Sequence, residues 1–196
     1  MKKNQSPEKI LTRLNLSLSE DVPVRIARHS DPDEALTGIV LQLAAEWVLV
    51  AAIRNGGYFD GYSVIRAGDI RAIKVETTFV PYLRAHQTWP PERPAGTIDL
   101  TGPASFLQEI GRTATVVALF EEVRRPGMLW IGAPVERGKK SVWILTIAPD
   151  ATWDTNTTKF KFKHLTRVDF SDDYSKAIFE LAGPVPPKTL EHGEKP

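Results

Sequence analysis

Histidine, aspartate and glutamate are the residues that run most acid–base and metal chemistry, and in this sequence they do not gather. His29, His86, His164 and His192 stand singly, with no HExxH and no pair at helical spacing, so no metal site is expected. Cysteine is absent, which excludes disulfides, thiol catalysis and cysteine metal sites. No GxSxG and no phosphate loop occurs, and Gly56-Gly57 lies between strand-like runs, so it reads as a turn. Asp31-Pro32-Asp33-Glu34 reads as a solvated turn. Asp172-Asp173 reads as a helix start, where the macrodipole favours acids. The expectation is a protein with no catalytic residues, no cofactor and no metal.

Two other constellations point to binding. Lys159, Lys161 and Lys163 alternate with Phe160 and Phe162, a period that sends the lysines outward and the phenylalanines into a core. Arg137-Gly138-Lys139-Lys140 adds a second basic group, and His164 follows the lysine run. Such a cluster can hold a phosphate backbone. The alternative is that the lysines guard a solvent-facing edge strand against aggregation. Tyr58, Phe59 and Tyr62 put three aromatics within five residues, a candidate anchor for a protein partner. The alternative there is a loop folded back onto the body of the protein.

These groups need a scaffold, and composition bounds it. The chain has 196 residues, enough for one large domain or two small ones. Apolar residues make up 42% and charged residues 25%, normal for a folded protein. Fifteen prolines and 13 glycines favour many short elements and exclude a coiled coil. The net charge of +1 is spread evenly, so bulk electrostatics does not demand nucleic acid. The start, MKKNQSPEKI, has no apolar run behind its lysines and does not read as a signal peptide. Trp47 to Ile53, the longest apolar run, is too short to span a bilayer. A cytoplasmic protein without membrane contact is expected.

Apolar positions recur at a fixed offset. Ile70, Ile73, Val75, Phe79 and Leu83 match Leu165, Val168, Phe170, Tyr174 and Ile178, each 95 residues further on. Trp47 to Val50 matches Val142 to Leu145, and Ile65 matches Phe160. Each half reads as a short helix, five strands and a closing helix. Ser6 caps the first helix with Pro7 behind it. Strands follow near Val22–Ile26, Leu36–Leu43, Trp47–Ile53, Tyr62–Arg66 and Ile70–Val75, then a helix over Phe79–His86. The second half places strands near Thr113–Glu121, Met128–Val135, Val142–Ile147, Lys159–Lys163 and Leu165–Phe170. Helices fall near Ala104–Ile110 and Tyr174–Leu181, the latter capped by Ser171 or Asp172. The proline-rich WPPERPAGT reads as a semi-rigid linker, and PVPPKTLEHGEKP as a disordered tail. Trp47, Leu49, Ile65, Ile73, Val142, Ile144, Phe160 and Val168 are the expected core.

Helix followed by five short strands resembles the Sm-like small β-barrel, and two short motifs carry the resemblance. Leu36-Thr37-Gly38-Ile39-Val40 with Trp47-Val48-Leu49 is similar to the first Sm motif, and Val64-Ile65-Arg66-Ala67-Gly68-Asp69-Ile70 to the second. A glycine on the second strand permits the bend that closes a small barrel. In the second half Ala133 is taken as the counterpart of Gly38, with Gly132 adjacent, and Lys161 as that of Arg66. A generic SH3-like barrel fits the strands as well. The sequence departs from the family at its RNA-binding turns: Ala44-Ala45-Glu46 lacks an Asp or Asn, and Ala67 separates Arg66 from Gly68. The resemblance implies that the turn at Arg137–Lys140 and His164 share the side of the barrel that family members use for RNA.

The expected fold is therefore mainly β with short helices: two tandem five-stranded Sm-like or SH3-like barrels over residues 6–90 and 97–184, with a disordered tail over 185–196. The expected function is a non-catalytic binding and assembly module that contacts a protein partner or a second copy. The alternative is RNA or single-stranded nucleic acid bound by Arg137, Lys139, Lys140, Lys159, Lys161, Lys163 and His164.

Overall fold

The computed structural model of the chain describes residues 4–54 and 57–187. The Asn55-Gly56 turn and residues 188–196 of the expected tail lie outside the described residues; 185–187 carry no helix or strand. Helix α1 is Pro7–Glu20, and the Ser6 hydroxyl caps it by accepting from the Lys9 amide. Strands β1 (Val24–Arg28), β2 (Ala35–Leu43), β3 (Trp47–Arg54), β4 (Tyr58–Arg66) and β5 (Ile70–Val75) follow, then α2 (Val80–His86). The second half repeats the order with α3 (Pro103–Ile110), β6 (Val117–Phe120), β7 (Trp130–Arg137), β8 (Ser141–Ile147), β9 (Trp153–Lys161), β10 (Arg167–Phe170) and α4 (Asp173–Ala182). A 3-10 turn joins β4 to β5 over Ala67–Asp69, and another joins β9 to β10 over Phe162–His164. No helix among the described residues is long and apolar enough to cross a membrane.

All ten strands form one antiparallel sheet in the order β5-β1-β2-β3-β4-β10-β6-β7-β8-β9, and this sheet does not close into a barrel. Each half contributes the same internal order, and β4 pairs with β10 at the joint, Val64 opposite Val168 and Ile65 opposite Arg167. The second strand of each half bulges at the same place, at Leu41 in β2 and Val135 in β7. Beside the first bulge the Ser17 hydroxyl of α1 accepts from the Val40 amide and pins the helix to the sheet.

The ladder corrects two pairings expected from the sequence. Trp47–Val50 correspond to Ser141–Ile144 and not to Val142–Leu145, since Val48 faces Ile65 and Val142 faces Phe160. Gly132, not Ala133, holds the ladder position of Gly38: the two glycines face Thr146 and Ala52 on the next strand. Space is the reason. A Cβ at Gly38 would sit 2.3 Å from the Ala51 carbonyl oxygen, and one at Gly132 would sit 2.2 Å from that of Leu145. The repeat offset is one residue shorter here than at β4 and β9.

All eight expected core residues are buried. One cluster gathers Val24, Ile26, Val48, Val50, Ile65 and Ile73 under Leu14 of α1. A second joins Val142, Ile144, Phe160 and Val168 to Phe106, Leu107 and Ile110 of α3, and continues into Ile39, Leu49 and Val64 of the first half. A third lies beneath Ile178 of α4. The expected linker is a strap laid on the sheet. Arg93 donates to the Leu41 carbonyl at 2.7 Å, Gln42 donates to that of Ile98 at 2.7 Å, and Ile98 and Leu100 are buried.

The two outer strands differ. On β5 the Gln5 side chain exchanges hydrogen bonds with both the amide and the carbonyl of Ile73, its backbone amide donates to the Arg71 carbonyl, and Arg13 also donates to Ile73. This edge is closed from within the chain. Over 157–161 of β9 no side chain among the described residues plays that part.

Candidate functional site

The turn between β7 and β8 is closed by the Gly138 amide donating to the Ser141 carbonyl at 2.8 Å. The Phe162 amide donates to the Lys140 carbonyl at 3.0 Å, which ties this turn to the end of β9. The two basic segments thereby share one corner. Lys139, Lys140, Lys159, Lys161 and Lys163 line a concavity of about 510 Å³ with Ser141 and Phe162 as its remaining walls. All five lysines are exposed, while Phe160 and Phe162 are buried. The strand expected over Lys159–Lys163 ends at Lys161, so the alternation of a strand holds over Lys159–Lys161 and the 3-10 turn places Phe162 and Lys163. Lys159 Nζ lies 4.6 Å from the centre of the Trp143 ring, its cross-strand partner. Among the described residues, no carboxylate lines this concavity. Its chemistry is attraction of negative charge by five ammonium groups that cannot neutralise one another.

The structure separates two of the seven basic candidates from the rest. Arg137 lines another concavity, of about 380 Å³, with Gln108 and Arg112 at the end of α3. His164 is half-buried. Desolvation pushes its imidazole pKa down, the charges of Arg124 and Lys163 add to this, and Glu121 opposes them. The shift favours the uncharged ring. Arg66, at the ladder position of Lys161, is a joint residue: it donates to the carbonyls of Leu165 at 2.6 Å and Phe162 at 2.9 Å, and lies over the Trp47 ring.

The aromatic candidates belong to β4, and each has an internal partner. Tyr58 bonds the Tyr82 hydroxyl of α2, Phe59 lies against Trp89, and Tyr62 stacks on Phe170 and donates to the Glu92 carbonyl. Burial, helped by the Glu92 charge, raises the Tyr62 phenol above its ordinary value. Phe59 and Tyr62 border a concavity of about 660 Å³ beneath the strap.

A buried ion pair between the two halves is not visible in the sequence. Arg28 donates two bonds to the Glu122 carboxylate, at 2.6 and 2.8 Å, and Ser30 donates a third at 2.8 Å. Burial pushes the Glu122 pKa up, but the hydrogen bonds and charge of Arg28, with Ser30 and Thr166, hold it below the usual carboxylate range. The partners lie at the ends of two strands far apart in the chain, and no local pattern couples them. Among known proteins, no family model matches this chain, and no curated protein or solved structure is significantly similar to it.

Proposed function

We propose that this chain is a non-catalytic binding and assembly module made of two fused Sm-like units, and that it contacts a protein partner. The observation that carries the reading is the joint. The same strand order occurs twice, and the halves meet by laying the last strand of one along the fourth strand of the other. A fold that already joins through strand edges, and that leaves one such edge open at β9, is suited to assembly.

A second reading has its own support. Five lysines around a concavity that no described carboxylate lines suit RNA or single-stranded DNA, whose phosphates release counterions on binding. A gel shift with single-stranded RNA and DNA across a salt series separates the two. The protein-partner reading expects no shift even at low salt. A shift whose salt slope drops by about one for each lysine reversed would replace it with the nucleic-acid reading.

A further inference from the structure

We infer that the outer edge of β9 takes up an extended acidic segment of a partner protein as an added strand. This rests on the reading of the chain as a protein-binding module and names the partner's chemistry. β9 is the last strand of the sheet, bonded to β8 on one side, with no strand beyond it among the described residues. An unpaired edge of this kind is a template for another strand. The molecule also contains an example of the pairing: β4, which has the same place in the first half, carries β10 along its outer side over Tyr62–Ile65.

Charge then selects the occupant. Lys159 and Lys161 project from the strand, and Lys139, Lys140 and Lys163 flank its end. Like charges set opposite one another across strands repel, and opposite charges attract. A second copy fails on both outer strands. Two β9 strands would confront lysine with lysine. Pairing β9 with β5 of another copy in the register of the internal joint would set Lys161 against Arg71, on an edge whose Ile73 groups Gln5 already holds. A segment with carboxylates at alternate positions meets neither obstacle. The lysines that protect the edge from copies of itself thus admit an acidic strand, which is specificity by exclusion.

The test uses the full chain and a fluorescein-labelled peptide in which glutamate alternates with threonine and valine, read by anisotropy. The peptide binds the wild type. The exposed pair Lys159→Glu/Lys161→Glu weakens it at least about tenfold without changing the circular dichroism spectrum. The same peptide N-methylated at alternate residues keeps its charge but loses its strand hydrogen bonds, and it binds the wild type at least about tenfold more weakly. Three results would overturn the inference: no binding of the parent peptide, equal binding of the N-methylated one, or equal binding of a version with lysine in place of glutamate. Oligouridylate that binds the same lysines while the peptide does not would also overturn it and would take the protein-partner reading with it. Failure of the peptide with no RNA binding leaves that reading standing and removes only the acidic strand.

Discussion

Arg28 and Glu122 form a buried pair with near-parallel hydrogen bonds, an arrangement whose stability depends on both charges being present. Removing one partner of such a pair costs about 3–5 kcal/mol, because the other charge is left buried. Glu122→Ala should show a loss of that size in urea denaturation. The pH dependence has a definite sign. The folded pKa of Glu122 is depressed, so its contribution is complete above the ordinary carboxylate range and is lost as pH falls through the folded value. Wild-type stability should fall in acid, and Glu122→Gln should be less stable at neutral pH with a flatter acid limb. Arg66 and Lys161 make a second contrast. Arg66 holds two carbonyls across the joint, so Arg66→Ala should cost about 1.5–3 kcal/mol, while exposed Lys161→Ala stays within about 0.5 kcal/mol. A thermal melt of each variant decides this. In the sequence these two residues look like one repeated basic position. Only the pairing of β4 with β10 makes one structural and leaves the other exposed.

At the scale of elements, the close approach at the two glycines is the most specific feature. Alanine at Gly132 or Gly38 would press a methyl into the backbone of the neighbouring strand, which cannot move aside like a flexible side chain. Each substitution should destabilise by about 1–3 kcal/mol in chemical denaturation, whereas Gly68→Ala, with open space around it, should be near neutral. The elements themselves were largely legible. Ser6 and Asp172 are side-chain caps, and the alternation or apolar runs at β1, β3, β8 and β10 mark strands. Two things were not legible. Bulges and turns shift the repeat offset by one residue between β2 and β4, and a single offset of 95 therefore puts Ala133 where Gly132 belongs. The strap is polar and proline-rich, so it reads as linker, yet Ile98 and Leu100 anchor it to the sheet. The lysine corner was legible as alternation along β9, but the hydrogen bond from Phe162 to Lys140 that brings Lys139 and Lys140 to it was not.

At the scale of the whole molecule, one apolar cluster runs from Ile39 and Leu49 of the first half to Ile144 and Phe160 of the second, and β4 and β10 share a hydrogen-bonded ladder. Neither half can unfold without exposing core of the other. Calorimetry should show one transition with equal calorimetric and van 't Hoff enthalpies, and two resolved transitions would mean that the halves are independent domains. This single body ends in two unlike edges, β5 closed by Gln5 and β9 with no strand beyond it among the described residues, and the proposed function rests on that difference. The most direct test is amide hydrogen exchange of the full chain, alone and with the glutamate-containing peptide. Amides within Thr157–Lys161 should gain protection when the peptide is present, while Arg71 and Ile73 stay unchanged. Protection that appears at β5 instead, or none at β9, would contradict the proposal.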